Sequence, residues 1–250
     1  MQKLDLTIAD HGGGKIVSRE ELVGVKTPAP VNRWCPIPHA SLVDEVVKTI
    51  ERGGLRVTWE NHLLAREGAR YFGLLQVEGK NEEGRDYGMI VGLRNSHDRS
   101  IVAGLAMGSH VFACSNLAFS SEIVIARKHT RFIGRDLPGL VEGAVGRLAD
   151  ARNRQTVRID AYKRTELSDA QVHDLVIRAL DARVLPVTRI PEVLHEWRTP
   201  SYPEFVAAGK TAWRFMNGVT EALKGSNLFA RPAATQALHG ILDTACNVLN

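Results

Sequence analysis

The chain reads as an α+β protein: an N-terminal helix, then a central, mostly antiparallel twisted β-sheet with hairpins, then a helical C-terminal half. Three observations carry that expectation. Between about residues 55 and 128, apolar residues alternate with polar ones or run in short glycine-spaced blocks, as strands do. After about residue 136 the apolar positions recur at helical spacing. A run of strands followed by a run of helices favours α+β over an alternating α/β fold.

Each element has its own signal. Residues 1–39 read as an extended arm, because His11-Gly12-Gly13-Gly14 and Pro28-Ala29-Pro30 break any period and Pro36 and Pro38 keep the chain extended up to His39. Leu42, Val43, Val46, Val47 and Ile50 predict a helix from Ala40 or Ser41 to Arg52, stopped by Gly53-Gly54. Leu55, Val57 and Trp59 alternate with Arg56, Thr58 and Glu60 in a half-buried strand, and Tyr71 to Val77 is a second. Gly88–Arg94 and Ser100–Met107 flank the polar hexapeptide Asn95-Ser96-His97-Asp98-Arg99-Ser100 as a hairpin. Val111–Ala113 and Glu122–Lys128 read as further strands, closing a β-rich core over residues 40–135. The helical region covers 136–250. Asp136-Leu137-Pro138 starts it, and Val141, Ala144, Leu148, Gln155, Ile159 and Tyr162 mark one face of a single long helix. Ser168 and Gln171 form a capping box for the next helix, a short one follows Pro191, and longer ones lie around Ala207–Leu223 and Ala233–Val248.

Composition narrows the function classes. At 250 residues and 44% hydrophobic content the chain can bury a substantial core. A net charge of +4 permits nucleic-acid binding without requiring it. Three scattered cysteines, Cys35, Cys114 and Cys246, suit a reducing compartment better than a disulfide framework. No apolar run approaches the roughly 20 residues of a membrane span, and the polar start does not resemble a secretory signal, so a cytoplasmic protein without membrane contact is expected.

Among the candidate sites, Asn95, His97 and Asp98 could serve acid–base chemistry or hold a metal, because histidine titrates near neutrality and a carboxylate beside it raises its basicity. The favoured reading of the same residues is a structural turn in which Asn and Asp accept backbone hydrogen bonds. No metal-ligand spacing, nucleophile elbow, P-loop or dinucleotide fingerprint is present, and no cofactor is implied. The basic residues give a stronger lead. Arg127-Lys128-His129-Thr130-Arg131 closes the β block, and Arg147, Arg154 and Arg158 recur on one side of the following helix. Together with Arg94, Asn95, His97 and Arg99, they could track phosphates, with Phe112, Phe119 and Phe132 available to stack bases.

Several segments, in order, resemble an uncharacterised family found in phages, plasmids and conjugative elements. These are Pro36-Ile37-Pro38-His39, the core from Gly92 to Ser100, the run from Phe112 to Ser120, Arg127-Lys128-His129-Thr130, and Trp213 to Lys224. The resemblance covers most of the chain from Pro36 onward. It implies a mobile-element setting and supplies no catalytic residues. In outline, a sheet with a helix and a basic groove is also similar to single-strand annealing proteins, an analogy of architecture alone. The expectation is therefore a non-enzymatic, oligomeric nucleic-acid-binding protein acting on single-stranded DNA in recombination, annealing or DNA protection. Two alternatives stand beside it: an anti-defence factor that binds a host protein, and a metal-dependent enzyme using Asn95, His97 and Asp98.

Overall fold

The computed structural model describes residues 14–79, 87–111, 116–226 and 230–248. Six antiparallel strands form one sheet in sequence order, a meander in which each strand pairs with its chain neighbours. They are β1 (Gly14–Val17), β2 (Arg56–Ala65), β3 (Arg70–Glu78), β4 (Tyr87–Ser96), β5 (Ala103–Val111) and β6 (Asn116–Arg127). The α+β architecture expected from the sequence is the one observed.

The arm before the first long helix is more ordered than its glycines and prolines suggest. Gly14–Val17 pairs with Ala65–His62 as an edge strand. A five-residue helix, α1 (Arg19–Val23), follows, capped by Ser18 and Glu21 in a reciprocal box. His11, Gly12 and Gly13 lie outside the described residues. Helix α2 (His39–Arg52) buries Leu42, Val43, Val46 and Ile50 and starts where Pro38 has held the chain extended.

Two cores share the sheet. Period-two alternation puts Tyr71, Leu75 and Val77 of β3 and Val91 and Leu93 of β4 on one face, where they pack against α2 and α3 (Ile133–Val145). The second core is helical. It gathers Tyr87, Val111 and Ala118 from the sheet with Ile159 and Tyr162 of α4 (Leu148–Arg164), then Val172 and Leu175 of α5 (Asp169–Asp181). Val193 and Trp197 of α6 (Ile190–Arg198), Phe205 of α7 (Pro203–Ala207), Phe215 and Val219 of α8 (Ala212–Ala222), and Leu238 and Leu242 of α9 (Arg231–Ala245) complete it.

The expected single long helix is two. It starts before Asp136, at Ile133, carries Pro138 within its first turns, and ends at Gly146. α4 then restarts after Arg147. α3 belongs to the sheet's own core, so that core extends past residue 135. The two strands expected around residues 111–128 are instead the end of β5 and the single long β6, with 112–115 outside the described residues.

Candidate nucleic-acid interface

At one end of the sheet, β4 runs into the polar hexapeptide, and a buried amide there organises three elements. The Asn95 side chain has no exposure. Its Nδ2 donates to the Ile37 carbonyl at 3.0 Å and to His39 Nδ1 at 2.9 Å, and its Oδ1 accepts from His129 Nε2 at 2.6 Å. His39 uses its other nitrogen, Nε2, to donate to the Gly68 carbonyl at 2.9 Å. His97 Nε2 donates to the Ile37 carbonyl at 3.0 Å, and its ring stacks on His39 with centroids 3.9 Å apart. These roles are mutually consistent when all three imidazoles are neutral. Burial keeps them so: desolvation lowers His39 to about 4, aided by the two neighbouring histidines, and lowers His97 and His129 as well.

The adjacent residues turn the other way. Asp98 accepts the Ser100 amide at 2.9 Å and its hydroxyl, and takes Arg70 Nε at 3.0 Å. Burial opposes its ionisation, but the Ser100 and Arg70 donors outweigh burial and hold the carboxyl at about 2. Asn95 and His97 thus converge inward on Ile37, whereas Asp98 faces Arg70, and the three do not share a site. Among the described residues no group of three or more His, Cys, Asp or Glu is placed to hold a metal.

The network seats the extended segment before α2 against the exit of β6. Cys35 donates its amide to the His129 carbonyl at 2.9 Å, and Trp34 bridges to Thr130. Arg99 adopts the left-handed conformation, φ 64°, and its guanidinium lies 4.7 Å from the Trp34 ring centre. Arg131 and Arg135 each lie 4.6 Å from the ring centre of Phe132, which is 41% exposed. Asp136 takes Arg127 and Arg135. No carboxylate pairs with Arg99, Lys128 or Arg131 among the described residues, and all three are exposed. The result is a surface of uncompensated cations interleaved with aromatic rings, framed by the arm, the β4–β5 turn and the start of α3.

The structure therefore divides the residues grouped by sequence. Arg99, Arg127, Lys128 and Arg131 meet at this end. Asn95, His97 and His129 lie beneath the same surface, buried, as its support rather than its contacts. Arg94 points to the opposite sheet face, in the row with Gly104 and Phe72. Arg147, at the N-cap of α4, and Arg154, on α4, are exposed, and the length of α3, about 20 Å at helical rise, separates Arg131 from Arg147. Arg158 leaves the expected track altogether: it is 8% exposed and gives Nε to Asp243 at 2.9 Å and Nη1 to Gln155 at 2.8 Å. Phe119 is fully buried, and Phe112 lies outside the described residues. Sequence reasoning passed over Trp34, His39 and Arg135 as site residues. The only signal for His39 was its place after Pro36-Ile37-Pro38, where the chain must enter a helix against the sheet.

The model of a domain of unknown function, DUF932, matches residues 29–240, from the start of the Trp34 segment to within α9. The chain belongs to this family. No curated protein and no solved structure matches it. Among the described residues, no helix of this DUF932 protein is long and apolar enough to cross a membrane.

Proposed function

We propose that this DUF932 protein binds single-stranded nucleic acid, most directly single-stranded DNA, without catalysing a reaction on it. One observation carries the reading: among the described residues Arg99, Lys128 and Arg131 have no acidic partner, on a surface that also presents Trp34 and Phe132. Cations there neutralise phosphates, while ring faces and stacked guanidinium planes accept unpaired bases without regard to sequence. The rigid sheet and the buried histidine–asparagine network below hold that surface in place before a strand arrives, which lowers the ordering cost of binding. The resemblance to phage and plasmid proteins suggests a setting in mobile-element DNA handling in the cytoplasm. One copy covers only a few nucleotides, so several copies would line a strand.

Fluorescence anisotropy with a labelled oligo-dT tests this. Affinity should fall steeply as salt rises, and Arg99→Glu with Arg131→Glu should weaken binding more than tenfold and flatten the salt slope by roughly 1.4, about 0.7 for each lost phosphate contact. Absent or salt-insensitive binding by the folded protein would overturn the proposal. A host protein held stably after nuclease treatment, with no oligonucleotide affinity, would replace it with protein antagonism.

A further inference from the structure

The sheet face turned away from α2 and α3 carries a second feature. Phe72, Leu74, Ile90, Ala106 and Phe119 form an apolar cluster there, with Trp59 packed at its side. Helix α9 crosses this face: Thr235 Oγ1 accepts the Phe119 amide at 2.9 Å. Between α9 and strands β3 to β6 the packing leaves a cleft lined by Phe72, Arg94, Ala106, Phe119, Pro232 and Gln236. Its open volume is about 490 Å³, part of it continuous with solvent.

Two glycines from the blocks flanking the hexapeptide set the walls. A Cβ at Gly92 would sit 2.5 Å from Phe119 Cε1, and one at Gly104 would sit 3.0 Å from Arg94 Nε and 2.8 Å from the Ile125 carbonyl oxygen. Any side chain at either position would drive the Phe119 ring or the Arg94 guanidinium out of place. The Phe72 and Phe119 rings meet edge to face, centroids 6.4 Å apart. Arg94 is the cationic residue of this lining, and no hydrogen bond or ion pair joins its guanidinium to another described residue. A planar, weakly hydrated group with forked donors, left unpaired beside aromatic edges and bare backbone, suits a carboxylate or phosphate whose attached ring enters the apolar part.

We propose that this cleft binds a small ligand consisting of a planar ring bearing one anionic group, with Arg94 on the anion and the ring against Pro232 and Gln236, above the floor formed by the buried Phe72 and Phe119. Two sources share that chemistry: nucleoside monophosphates and aromatic carboxylates. The site is separate from the Trp34–Phe132 surface and does not depend on polymer binding.

Isothermal titration with dAMP, dTMP and benzoate as separate probes tests the proposal. Saturable binding of either class is expected, and the class that binds identifies the source. Adenosine and inorganic phosphate, each half of the recognised chemistry, should bind at least tenfold more weakly than dAMP if the nucleotides are the source. Arg94→Gln, at a partly exposed position, should weaken the bound probe at least tenfold while leaving the fold intact. Ala106→Leu should fill the cleft and abolish binding. The Arg99→Glu, Arg131→Glu protein should bind the probe as the parent does, whatever happens to its oligonucleotide affinity. No saturable binding of any probe, or binding unchanged in Arg94→Gln, overturns the proposal.

Discussion

Asn95 shows how much one side chain can fix. Its amide satisfies three buried partners on three elements; without it His39 Nδ1 and His129 Nε2 would be left unpaired and the Ile37 carbonyl would keep only His97. A buried polar group without a partner costs about 1–3 kcal/mol. Asn95→Ala should therefore destabilise the protein by about 3 kcal/mol or more, read as a lower urea midpoint at unchanged slope. Asn95→Asp should be no milder, because a carboxylate cannot donate to Ile37 or His39. The histidines add a pH dependence whose sign is set by their lowered proton affinity. The unfolded chain takes up protons near 6.5, before the folded chain does, so stability is complete above that value and falls as pH drops toward about 4. His39 alone should cost about 2 kcal/mol between pH 7 and 4.5, and His97 and His129 act in the same direction. Urea unfolding across that range checks it; a flat profile would mean that the imidazoles are solvated. The hexapeptide's importance was legible in the sequence because polar residues between apolar runs must do something specific. Its inward direction was not, because the partners, Ile37, His39, Gly68 and His129, lie far away along the chain.

At the scale of elements, local signals served where local physics decides. The Ser168–Gln171 box is present as its spacing predicts, with the Ser168 oxygen accepting the Gln171 amide at 3.3 Å. Ser168→Ala should cost about 1 kcal/mol, measurable as a lower melting temperature. Glycine and proline misled where tertiary context overrides them. Pro138 was read as a helix start, but the helix begins five residues earlier, at Ile133, and carries the proline in its interior, where the burial of Ile133, Leu137 and Val141 in the sheet's core offsets the lost hydrogen bond. Gly146 ends α3, yet the apolar face continues through Leu148, so periodicity alone joined two helices into one. The same limit hid the fate of Arg158. On a helical wheel it lines up with Arg147 and Arg154, but α9 brings Asp243 onto it, and Tyr162 donates to the same carboxylate at 2.5 Å. Arg158→Glu would place two carboxylates together in a nearly closed site. Breaking such a pair costs about 3–5 kcal/mol, so this variant should lose structure in circular dichroism rather than report on DNA.

For the whole molecule, the consequence is a positive surface divided in two by the sheet's own length. α3 runs along the sheet from the Arg131–Phe132 end toward the end where α4 meets Tyr87 and Ser109. A strand held at the first end reaches Arg147 and Arg154 only by spanning about 20 Å along α3. At about 3.4 Å per nucleotide along a stacked strand, that is on the order of six nucleotides, so oligonucleotide length becomes a ruler. Short oligo-dT should sense only the Trp34–Phe132 end: Arg99→Glu with Arg131→Glu weakens it, and Arg147→Glu with Arg154→Glu leaves it unchanged. If longer strands follow α3, the Arg147→Glu, Arg154→Glu protein should lose affinity only above a threshold length, with a salt slope shallower than the parent's. Equal sensitivity to both pairs at every length would mean that charge acts at long range rather than by contact. Indifference to the α4 pair at every length would confine the interface to the end of the sheet where the arm, the turn and α3 meet.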